Sequence, residues 1–89
     1  MKTIFKYKIE TTDEQTISMP QGAEILTVQI QNGDPYIWVL VDMTQDDVIR
    51  TIEVFGTGNP IRDPNAPRRY VGTYQLRDGR LIFHVFEKL

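Results

Sequence analysis

Residues 24–42 read EILTVQIQNGDPYIWVLVD, and their spacing decides the fold. Before QNGDP the apolar side chains Leu26, Val28 and Ile30 alternate with Thr27 and Gln29; after it Ile37, Val39 and Val41 alternate with Tyr36, Trp38 and Leu40. A period of two places successive side chains on opposite faces of a strand, whereas a helix would repeat every three to four residues. Asn32-Gly33 is the pair most favoured in tight hairpin turns, because both residues tolerate positive φ. The stretch therefore predicts a β-hairpin with Leu26, Val28, Ile30, Val39 and Val41 in the core. Its second arm is apolar on both faces, the pattern of a central strand covered on both sides.

The same period continues outward. Strands are expected over 3–10, 15–19, 24–31, 36–42, 48–55, 70–76 and 81–87, with turn chemistry between them. TTDE at 11–14 reads as the turn of a first hairpin, PQG at 20–22 as a turn, MTQDD at 43–47 as a polar connection, and RDGR at 77–80 as an Asp-Gly turn. The segment 56–69 holds Pro60, Pro64 and Pro67, which deny the backbone the donors a strand needs. The fold class is all-β: about seven antiparallel strands in a small barrel or sandwich, forming a single β domain over residues 1–89.

Eighty-nine residues make a thin core, which self-association into a homo-oligomer would reinforce. The absence of cysteine excludes disulfides, thiolate metal sites and a cysteine nucleophile, and fits a reducing cytosol. The longest apolar run, YIWVLV at 36–41, is far short of the roughly 20 residues of a membrane helix, so no membrane association is expected. Ten basic against twelve acidic residues leave a net charge of −2, which argues against duplex nucleic acid as a partner. Catalytic and metal-binding constellations are missing: His84 is the only histidine, Ser18 the only serine, and the acidic pairs sit in turns without a partner histidine. The expectation is a protein that is not an enzyme and has no cofactor.

FGTGNPIR at 55–62 is the segment that raises a question of binding. Loops longer than about 12 residues without regular structure are often functional, and here Arg62, Arg68 and Arg69 stand against the single Asp63. Guanidinium groups hold phosphate oxygens in pairs, and glycine lets backbone N–H groups approach an anion closely. Gly56-Thr57-Gly58 is not a dinucleotide fingerprint, because Ile61 takes the last glycine position and Pro60 blocks the helix. Read from the residues alone, the glycines equally make an ordinary turn and the arginines equally stand solvated. Tyr36 and Trp38, two apart on one strand face, suit either a platform for a stacked base or core packing. The candidate ligand-binding set is Tyr36, Trp38, Gly56, Thr57, Gly58, Asn59, Arg62, Arg68 and Arg69, gathered into one anion-and-base site, with no metal site.

In order along the chain, QNGDPYIW, FGTGNPI, VGTYQL and LIFHVFE resemble a small family of phage and prophage proteins of this length. A histidine often stands in that family where this sequence has Asn59, a departure that counts against any role requiring an imidazole in the loop. The chain is also similar in size and character to phage proteins that sequester the nucleotide signals of bacterial immunity, such as the cyclic dinucleotides of CBASS or the ADP-ribose derivatives of Thoeris. The resemblance implies a phage-encoded immune-evasion protein in the cytoplasm of the infected host, holding a small nucleotide ligand without cleaving it. The alternative is an accessory protein that binds a host or virion protein through an exposed strand edge.

Overall fold

Asn32 and Gly33 both take positive φ, 52° and 85°, and turn the chain back on itself. The arms of this hairpin are β3 (Glu24–Gln31) and β4 (Asp34–Asp42), paired antiparallel from Gln31↔Asp34 to Glu24↔Leu40. The computed structural model describes residues 1–89 and adds five further strands and no helix. They are β1 (Lys2–Lys8), β2 (Glu14–Pro20), β5 (Asp47–Gly56), β6 (Arg68–Leu76) and β7 (Leu81–Lys88). Every pairing is antiparallel, in a three-stranded sheet of order β1-β4-β3 and a four-stranded sheet of order β2-β5-β7-β6. The sheets are not closed into a barrel; they pack as a sandwich.

Register and burial agree on which faces meet. From the small sheet Ile25, Val28, Ile37, Val39 and Val41 are buried, and from the large one Met19, Ile52, Val54, Tyr74 and Val85. Two expected core residues are not there. Leu26 is 42% exposed and Ile30 38% exposed. A β-bulge between Ile25 and Thr27 inserts Leu26 as an unpaired residue, so the inward phase runs Ile25 then Val28 instead of Leu26 then Val28. Ile30, opposite Pro35, lies at the far end of β3. A second bulge between Tyr70 and Gly72 interrupts β6. The two sheets meet where β3 contacts β6: a Cβ on Gly72 would sit 2.8 Å from Val28 Cγ1, so any larger residue there requires Val28 to shift.

The expected first hairpin does not form. β1 pairs with β4 and β2 with β5, so residues 9–13 cross from one sheet to the other. Ile9 is buried at this crossing and its N–H donates to the Pro35 carbonyl, while the Gln15 side chain bridges the backbone N–H and carbonyl of Glu10. The strand buried on both faces is β5, whose Ile52, Glu53, Val54 and Phe55 are all buried. β4 is central within its sheet, yet its outer face, with Tyr36, Trp38 and Leu40, is only half-buried. The extents of 40 × 33 × 15 Å describe a flat molecule, which is why only 17 of 89 residues are buried. No helix is long and apolar enough to cross a membrane.

Candidate functional site

Residues 57–67 fold back over the outer face of the large sheet, and this covers Phe55 and Glu53. Arg68 is the post around which they wind. Its Nε donates to Glu53 Oε1 at 2.6 Å, Nη1 to the Asp63 carbonyl at 2.8 Å, and Nη2 to the Arg62 carbonyl. The Arg68 and Glu53 side chains are 8% and 3% exposed. The hydrogen bond to Glu53 raises the Arg68 pKa above its ordinary value. Arg62 lies over Phe55, its guanidinium carbon 4.4 Å from the ring centroid, and Nη2 donates to the Asp13 carbonyl at 2.9 Å. These two arginines hold the loop to the sheet. Arg68 is buried in doing so, while Arg62 keeps part of its side chain in solvent.

The remaining expected residues are scattered. Arg69 faces the inner side of the same sheet, opposite Glu87, whose carboxylate is already held in two bonds by Arg50. Tyr36 and Trp38 project from the outer face of the small sheet, with the core between them and the loop. Lys6 Nζ lies 5.0 Å from the Tyr36 ring and 5.8 Å from the Trp38 ring, and donates to Gln31 Oε1. The Trp38 Nε1–H is buried and unpartnered. The structure therefore does not bring the aromatic pair and the three arginines into one site.

It does bring together Gly56, Thr57 and Asn59. The Asn59 N–H donates to the Gly56 carbonyl at 3.0 Å, closing a turn whose third residue, Gly58, has φ 86°. Positive φ is the reason for glycine there. The Thr57 N–H donates to the Ile82 carbonyl, extending the β5–β7 pairing beyond the strand end. This turn forms one wall of an open depression of about 420 Å³, and Arg80, Leu81, Ile82 and Phe83 form the other. A small notch reaching Thr11, Thr12 and Asp13 adjoins it through Gly56, Asn59 and Phe83. Arg80 belongs to the RDGR turn, where Arg77, Asp78 and Gly79 all have positive φ. It enters none of the ion pairs that hold Arg50, Arg62, Arg68 and Arg69.

From the rim of the depression a hydrogen-bonded chain runs across the outer face of the large sheet. Thr57 Oγ1 lies 2.6 Å from His84 Nε2, His84 Nδ1 lies 2.9 Å from Thr73 Oγ1, and Thr73 Oγ1 lies 2.5 Å from the Tyr70 hydroxyl. Strand alternation positions it, because His84 and Thr73 are directly paired and both point outward. Arg80 and His84 were not in the expected site. The usable signal was present: alternation from buried Val85 turns His84 outward, and an arginine closing an Asp-Gly turn has no cross-strand partner fixed by register.

Residues 1–89 match the family described as Domain of unknown function (DUF7352), and the chain belongs to it. No curated protein and no solved structure matches the chain.

Proposed function

We propose, for this member of the DUF7352 family, that it sequesters a phosphate-bearing nucleotide signal without cleaving it. The setting is phage immune evasion, in the cytoplasm of an infected bacterium, and the ligand class is a cyclic dinucleotide or an ADP-ribose derivative. One observation carries the reading: Arg80, free of any ion pair, lines the same depression as Gly56, Thr57 and Asn59. Its volume falls within the roughly 300–1,000 Å³ of small-molecule sites. An unpaired guanidinium is a phosphate ligand without an internal competitor, and the edge of Phe83 offers an apolar surface for a base or ribose. A ligand of two nucleotides exceeds one such depression, so a second copy of the chain completes the enclosure; this is the role proposed for self-association. Sequestration is favoured over cleavage because both nitrogens of the only histidine are taken by threonine hydroxyls, with no carboxylate to orient it as a base.

A second reading has its own observation. β1 is the free edge of the small sheet, and Ile4 and Phe5 on it are 56% and 38% exposed. A host or virion protein adding a strand there would cover them. Lys2, Lys6 and Lys8 along that edge disfavour pairing with a second β1 and suit an acidic partner.

The experiment that separates these readings is incubation with a panel of cyclic dinucleotides and ADP-ribose derivatives, followed by gel filtration, heat denaturation and chromatography of what is released. Intact ligand in the released fraction is the expected result. Altered ligand would make the protein an enzyme, and an empty fraction would transfer the case to the protein partner.

A further inference from the structure

Thr57 presents its hydroxyl at the rim of the depression, and the direction of that O–H is a choice made by His84. A neutral imidazole has one N–H and one bare nitrogen. His84 touches two hydroxyls, Thr57 Oγ1 at Nε2 and Thr73 Oγ1 at Nδ1, so one of them has to donate to the ring. If Thr57 donates, only lone pairs remain for the depression, and an anion is repelled. If Nε2 carries the proton, Thr57 accepts from it and its own O–H is released toward the ligand.

We infer that Thr57 is the specificity-determining donor to the phosphate of the ligand, and that His84 is the positioning residue that turns the hydroxyl toward it. This rests on the depression being the nucleotide site. The ligand group selected is a tetrahedral oxyanion, which accepts hydrogen bonds and donates none when fully ionised. Protonation of His84 makes both ring nitrogens donors, fixes Thr57 as acceptor from the ring, and puts a positive charge two hydrogen bonds from the ligand, behind the Thr57 hydroxyl. Affinity for an anion is therefore higher for the protein with protonated His84 than for the neutral form, and bound anion favours the protonated form in turn. The other charged groups on that outer face answer to one another. Arg68 is held by Glu53, Arg62 by Asp13 and Lys88 by Glu14, while the Tyr70 hydroxyl bonds to Thr73 at the far end of the hydrogen-bonded chain. Arg80 lies outside this hydrogen-bonded chain, so it sets the overall affinity and not its pH dependence.

The test uses the full chain with two probes whose charge is constant across the window, sulfate and 3′,5′-cyclic AMP, by calorimetry between about pH 8 and about pH 5.5. Wild-type affinity is expected to rise about tenfold toward the acid end. His84→Gln should abolish the rise, Thr57→Val should reduce it to what the imidazolium charge alone supplies, Thr57→Ser should restore it, and Arg80→Ala should weaken binding at every pH while leaving the rise intact. Because His84 is the only histidine, its imidazole resonances can be followed directly: both probes should perturb them in the wild type and markedly less in Thr57→Val. A flat pH profile with binding intact, or a Thr57→Val protein that behaves like the wild type, overturns this inference and leaves the site standing. Failure of the wild type to bind either probe at any pH overturns both.

Discussion

Two arginine-bearing segments lie at the ends of β6, and they behave in opposite ways. The loop before it carries Arg62, with Arg68 and Arg69 at its end; the turn after it carries Arg77 and Arg80. Read as charge, the first is the richer anion site. Read as geometry, it is spent: Arg68 is buried against Glu53 with its remaining donors on loop carbonyls, and Arg62 is stacked on Phe55 and bound to Asp13. The turn after β6 holds fewer charges, but Arg80 stands at a depression with no carboxylate to satisfy it. An arginine's availability to a ligand depends on what its own fold already asks of it.

The largest effect that would break this contrast is at Arg68. Arg68→Ala leaves the Glu53 carboxylate buried and unpaired and removes the loop's attachment, and removing one partner of a buried pair is among the most damaging substitutions. The expected outcome is a fall in melting temperature of about 10 °C or more by circular dichroism. A protein that melts as the wild type does would mean the loop stays in place without its post. Arg80→Ala should do the reverse. It should shift the melting temperature by no more than about 2 °C, yet weaken binding of the released nucleotide, or of cyclic AMP as probe, about tenfold or more. Unchanged affinity would move the site away from the depression.

Arg62→Ala tests the middle of the scale. The side chain is partly exposed, its ion pair with Asp13 is at the surface, and the stack on Phe55 is its main contribution. A fall of about 3–5 °C is expected, with ligand affinity unaltered. If affinity drops while stability holds, Arg62 belongs to the site after all.

The fold was legible because period-two patterning and Asn-Gly chemistry are local. Ile37, Val39 and Val41 fell where alternation put them, and Asn32-Gly33 made the turn its residue types require. Leu26 falls outside the core because a one-residue bulge flips the phase of everything before it, and no local residue type announces a bulge. The β1–β2 connection is not legible in the sequence because a four-residue polar turn serves a hairpin and a sheet crossing equally well; only the pairing of β1 with β4 distinguishes them. The glycine turn of the candidate site was legible, since positive φ at Gly58 follows from the sequence. The state of the arginines was not, because Glu53 is fifteen residues before Arg68 and Asp13 is forty-nine before Arg62. Ion pairing at such separations is a product of topology.

The smallest effect extends the contrast between committed and free groups to a carboxylate. Asp42, at the end of β4, accepts from the Thr44 hydroxyl at 2.7 Å and the Thr44 N–H at 3.0 Å, and the chain's amino terminus lies 3.5 Å away. These bonds favour the ionised form, the hydroxyl first, and lower the Asp42 pKa to about 2. A carboxylate whose pKa is depressed by folding contributes stability above its unfolded value, near 3.8, and loses that contribution as pH falls toward 2. Thr44→Ala removes the hydroxyl and keeps the backbone donor, so the Asp42 pKa should rise part of the way back toward its ordinary value in a carboxyl NMR titration. Because the group is on the surface, the melting temperature at neutral pH should change by no more than about 2 °C. The wild type should also lose stability relative to the variant only as the pH drops below about 4, since above that both proteins keep Asp42 ionised. A variant whose Asp42 titrates as in the wild type would show that the backbone N–H and the amino terminus suffice, and that the threonine is bound without being needed.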